Sequence, residues 1–90
     1  MLFTRKQVQY DYDKNNDVLY CRFGDKSNSY GDENPDGIVV MRDMDSNDVT
    51  GVTIFHAVKM LSGKDERLLS LEKIIALDTL KQIYENILIR

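Results

Sequence analysis

The chain has 90 residues, 42% of them hydrophobic and 30% charged, and a net charge of −3. That is enough chain for one core and not two, and too apolar a composition for a disordered segment. Fifteen acidic against twelve basic residues argue against broad nucleic-acid binding, and no unbroken apolar stretch exceeds four residues, so no membrane span is expected.

Arg5 and Lys6 open the chain with no apolar run behind them, so a signal peptide is not expected. Alternating β-branched and aromatic residues then predict strands near 6–12 and 18–23, joined by Asp13-Lys14-Asn15-Asn16-Asp17. The same pattern recurs further on. Strands near 37–43 and 49–55 flank Asp43-Met44-Asp45-Ser46-Asn47-Asp48. Asp and Asn bond their own backbone and tolerate left-handed conformations, so both clusters read as hairpin turns. Between the hairpins, residues 24–36 carry a net charge of −3 and the only proline, and read as the longest loop. Within it, Asn34-Pro35-Asp36-Gly37 is a turn sequence.

After Phe55 the period changes. Residues 56–61 predict a short helix ended by Ser62-Gly63, with Ser62 or Asp65 as the cap of the next helical segment. From Leu68 to Leu88, apolar residues spaced by three and four predict an amphipathic helix. Asp78-Thr79 interrupts that face and offers an N-cap, so two shorter helices are an equal reading. A strand over Leu68–Leu71 is the remaining alternative. The fold expected is α+β: a four-stranded antiparallel meander of two tandem hairpins, with one to three C-terminal helices packed on it. All 90 residues form one domain in this reading, with a sheet-plus-helix part at 1–61 and a helical extension at 62–90.

Side chains alternate along a strand. Leu19, Cys21 and Phe23 share one face of the second strand, with Val18, Tyr20 and Arg22 on the other. In the next strand Ile38 and Val40 oppose Val39 and Met41, so both faces are apolar. A sheet wetted on one side alternates more cleanly than this. The helices can cover one face, and a second copy of the chain is the simplest cover for the other.

No catalytic or metal motif is complete. Asp11-x-Asp13-x-Asn15 opens like a calcium-binding loop, but Asn16 and Arg22 stand where that loop needs glycine and glutamate. Cys21 alternates with Leu19 and Phe23 as a buried small hydrophobe would, and a single cysteine fits a reducing cytoplasm. His56, the only histidine, falls at a strand-to-helix junction, where a structural role is expected. One histidine and one cysteine are too few for a zinc site without carboxylates. Phosphate-cradling and nucleophile-elbow motifs are absent from the sequence. Arg5, Lys6, Lys59, Lys64 and Arg67 are scattered cations rather than a nucleic-acid stripe.

Tyr10-Asp11, Asn16 to Phe23, Asp36 to Val40, Val49 to Ile54 and Ala57-Val58-Lys59 occur in an order and spacing that resemble the small prokaryotic proteins grouped as domain of unknown function 2283. The resemblance spans residues 8–61. It implies the same antiparallel meander followed by a helix, and it implies no activity. Cys21 replaces an aliphatic residue of the pattern, Thr53 an acidic one, and His56-Ala57-Val58 a polar run. The expectation is therefore a cytoplasmic, non-enzymatic interaction module, a homodimer with a possible further protein partner, and no cofactor, metal, nucleic acid or membrane. Its interaction residues are expected on the C-terminal apolar face: Leu71, Ile74, Ile75, Leu80, Ile83 and Ile87. An antitoxin that wraps a small toxin with that face is the alternative, because some members of similar families are encoded beside toxins. An enzyme joining His56 to Asp36 or Asp43 is third.

Overall fold

The computed structural model describes residues 8–23, 28–33, 37–64 and 66–89, with the Lys64 side chain excepted. Arg5, Lys6, Asp36 and Asp65 therefore lie outside the described residues. The elements are β1 (Gln9–Asp13), β2 (Val18–Arg22), β3 (Ser29–Glu33), β4 (Ile38–Asp43), β5 (Val49–Phe55), α1 (Ala57–Lys59), a π turn (Met60–Lys64), α2 (Leu68–Glu72) and α3 (Leu77–Leu88).

The class is α+β, but among the described residues the sheet has five strands, not four. The added strand is β3, inside the segment read as a loop. Its sequence, Ser29-Tyr30-Gly31-Asp32-Glu33, is polar and mostly exposed, because it is an edge strand held by pairing to β4 rather than by burial. Edge strands commonly carry charge in place of apolar alternation, so the pattern that betrays a central strand is missing here. The order is β1-β2-β5-β4-β3, antiparallel throughout, so two tandem hairpins in a simple meander are also corrected. β3, β4 and β5 form the meander. The β1–β2 hairpin docks on its far side, through Leu19 opposite Ile54 and Cys21 opposite Val52.

One face of the sheet is the core. Leu19, Cys21, Ile38, Val40, Val52 and Ile54 are buried there against Ala57, Met60, Leu61, Leu71, Ile75, Leu80, Ile83 and Ile87. The short helix ends where expected. Gly63 turns the chain at φ 86°, and the Ser62 hydroxyl donates back to the Lys59 carbonyl (2.7 Å) instead of capping α2. The last segment is two helices, and α2 is helical rather than a strand. The break falls at Lys73–Ala76, with Ala76 as the N-cap of α3, so Asp78 sits inside the first turn and not at the cap. There its charge still complements the helix N-terminus. Asn86 fixes α3 across the first strand by donating to the Tyr10 hydroxyl (2.9 Å). Gly37 stands at φ 77°, a left-handed backbone conformation that favours glycine.

Candidate interaction surfaces

The two acidic clusters are copies of one turn. Asp13 accepts the backbone N–H groups of Asn15 (3.1 Å) and Asn16 (3.3 Å), and Asp43 those of Asp45 (2.8 Å) and Ser46 (3.0 Å). Each turn then closes through a left-handed residue, Asp17 at φ 54° and Asn47 at φ 65°. The Asn16 side chain above all lowers the pKa of Asp13, and the Ser46 and Asp45 N–H groups lower that of Asp43. A carboxylate lowered in the folded state stabilises above its unfolded pKa, and that contribution fades as the pH falls through the folded value. Both carboxylates are occupied with their own turns. Among the described residues, no three His, Cys, Asp or Glu side chains group as a metal site.

Asp17 does more than turn the chain. Its Oδ1 accepts the Tyr12 hydroxyl (2.7 Å) and the Val58 N–H (3.1 Å), while its carbonyl accepts the Ala57 N–H (3.1 Å). α1 has no side-chain cap from His56, so a residue of the first hairpin caps it from forty-one positions away. The hydrogen bond to Asp17, followed by burial and the neighbouring carboxylate charges, pushes the Tyr12 pKa up to about 12. A raised tyrosine pKa favours the fold below the unfolded value and loses that contribution as the pH climbs through the folded one. An Asp17→Asn variant is accordingly expected to return the Tyr12 phenol toward 10, which phenolate absorbance in an alkaline titration reads directly.

The residues considered for chemistry are kept apart. Cys21 is buried in the core, whereas His56 is exposed beyond β5 in a left-handed conformation (φ 56°). Asp43 belongs to its own turn, at the end of β5 opposite His56. Of the six residues expected to meet a partner, Leu71, Ile75, Leu80, Ile83 and Ile87 are buried in the core and Ile74 is half-buried against it. That face lies on the chain's own sheet, so the open surfaces of the chain lie elsewhere.

The second sheet face is such a surface. Tyr20 lies opposite Thr53 and Val39 opposite the same Thr53, with Met41 facing Gly51 one pair along. Tyr20 remains 40% exposed and Phe55 39%, while Val39, Met41 and Thr53 are half-buried. Val18, on the same face opposite Phe55, is buried, while Val39 and Met41 lean across Gly31, where a Cβ would touch both. Its border is charged, through the Arg22–Asp11 ion pair (2.6 Å) on one side and Glu33 on the other. Alternation along β2 and β4 made this face visible in the sequence. The role of Asp17 as the cap of α1 gave no such signal, because Ala57 and Val58 are remote from it in the chain.

Fold and surfaces together describe a two-layer α+β domain whose polar motif residues hold turns and helix ends. Residues 9–57 match the family described as a protein of unknown function, DUF2283, and the chain belongs to that family. The match ends at the start of α1, so Asp17 and Ala57 lie within it and α2 and α3 beyond it. Neither a curated protein nor a solved structure matches the chain. Among the described residues, no helix is long and apolar enough to cross a membrane.

Proposed function

We propose that this chain is a non-enzymatic protein–protein interaction module that works as a homodimer through its second sheet face. The observation that carries the reading is the neutral patch of Tyr20, Val39, Met41, Thr53 and Phe55, left partly exposed and bordered by charge. Depletion of charge at the centre, with aromatic residues and methionine in its place, is the composition that distinguishes interface cores. A face of five strands measures about 24 Å across at the usual strand spacing, the scale of a small specific interface. The edges discourage the other way of joining sheets. β1 carries Asp11 and Asp13 and β3 carries Asp32 and Glu33, so edge-to-edge pairing of two copies brings like charges together.

The test is a charge at the centre of the patch. Met41 is half-buried on the face and absent from the core cluster, so Met41→Glu is expected to keep the fold and halve the mass of the assembly in sedimentation. A mass unchanged by Met41→Glu overturns the reading.

A further inference from the structure

We infer that α3 is a second self-complementary surface, on which two copies of the chain pair with their α3 helices antiparallel. This contact is independent of the sheet face. Leu80, Ile83 and Ile87 are the core side of the helix, yet its apolar arc is wider than the core needs. At 3.6 residues per turn, Leu77, Tyr84 and Leu88 fall within about 40° of one another on a flank turned away from that side. Leu77 is 41% exposed and Leu88 52%, and Ile89 just past the helix end is 84% exposed. Apolar residues repeated at this spacing along a solvent-facing flank are the mark of a helix awaiting another helix.

The flank holds both a hole and the knobs to fill it. Leu61, Leu68, Leu77, Leu80 and Tyr84 line a cavity of about 260 Å³ between the π turn, the start of α2 and the first half of α3. The knobs, Leu88 and Ile89, stand at the other end of the same helix. An antiparallel pair centred near Ile83 sets Leu88 and Ile89 of each copy beside Leu77 of the other, at the mouth of the cavity.

Charge singles out a second copy as the occupant. Lys81 and Glu85 sit at the cavity rim, exposed and without an ion pair among the described residues. Both stand two residues from Ile83, on opposite sides, so the antiparallel arrangement places each lysine against the other copy's glutamate, twice over. A two-fold contact must be complementary to itself in this way.

Two distinct two-fold contacts on one chain build an assembly larger than a dimer, a closed tetramer of four times 10.4 kDa where their axes cross at right angles, so the full chain is expected to sediment above the dimer mass. Lys81→Glu sets glutamate against glutamate and Glu85→Lys sets lysine against lysine. Each single reversal is expected to weaken association about tenfold or more and leave the dimer held by the sheet face. Lys81→Glu with Glu85→Lys together restores opposite charges across the pair and is expected to restore the larger assembly. Both positions are exposed, and an unchanged far-ultraviolet circular dichroism spectrum verifies that each variant folds. A mass unmoved by the single reversals, or a double variant that fails to regain it, overturns the pairing. The two surfaces are separable by the same measurement. A dimer broken by Lys81→Glu but not by Met41→Glu removes the sheet-face reading and keeps this one, and the converse removes this one alone.

Discussion

A fragment ending at residue 64 is expected to lose cooperative folding altogether, the largest effect any change to this chain should produce. α2, α3 and the link between them bring Leu71, Ile75, Leu80, Ile83 and Ile87 into the core, all buried against the inner face of the sheet. Full burial of a large aliphatic side chain contributes ~1.5–3 kcal/mol, so five such residues contribute on the order of 10 kcal/mol. Ordering the lost segment costs conformational entropy, which offsets a large part of that sum. A domain of this kind is held by only ~5–15 kcal/mol in all, so losing five buried core residues leaves the sheet without a margin. The fragment would also expose Leu19, Cys21, Ile38, Val40, Val52 and Ile54 together, a contiguous apolar face of the kind that drives association. Residues 1–64 are therefore expected to be insoluble, or soluble only without a melting transition, when compared with the full chain. A soluble fragment that melts cooperatively would mean that the C-terminal segment is a detachable arm rather than half of the core.

How far the fold was legible depends on which forces act locally. Alternation in β2 and β4 revealed both sheet faces, because burial selects side chains at every second residue wherever a strand is central. β3 escaped because an edge strand beside solvent is under no such selection, and Ser29-Tyr30-Gly31-Asp32-Glu33 has no apolar period to read. The contact between β2 and β5 escaped for a different reason. Each hairpin is fixed by its own turn, but the choice of strand across which two hairpins meet depends on contacts such as Leu19 with Ile54, 35 residues apart in the chain. Adding β3 outside β4 occupies one side of β4 and leaves β5 as the open edge for the first hairpin.

The surfaces divide the same way. The sequence pattern marked Leu71, Ile74, Ile75, Leu80, Ile83 and Ile87 as an apolar face, and hydrophobicity alone does not say whether such a face meets its own sheet or a partner. The packing decides: five of the six are core. Leu77 and Leu88 were part of the same apolar series, and only their exposure separates them from Leu80 and Ile87 on the same helix. The twin Asp-rich turns were legible as turns, since Asp13 and Asp43 each bond backbone two and three residues on; the Asn28 amide that donates to Asp45 from 17 residues away was not.

Replacing Asp17 with alanine is expected to destabilise the protein more than any other change outside the core. The residue has three duties in one place. Its carboxylate takes the Tyr12 hydroxyl and the Val58 N–H, and its backbone stands at φ 54°, where aspartate is tolerated far better than alanine. Hydrogen bonds to a charged group contribute ~1.5–3 kcal/mol each, reduced here because the site is only partly buried. Removing a helix cap costs ~0.5–2 kcal/mol, and a left-handed alanine adds roughly another 1. These effects overlap, so the net loss expected is on the order of 3 kcal/mol, a large fraction of what a chain of this size can hold. Denaturant unfolding followed by circular dichroism measures it. Asp17→Asn separates the contributions, since asparagine keeps the left-handed backbone and an acceptor oxygen while losing the charge; it is expected to cost about half as much. Equal losses in the two variants would place the whole effect in the charge. A loss below about 1 kcal/mol in the alanine variant would show that the first hairpin and α1 hold together by packing alone, without the carboxylate between them.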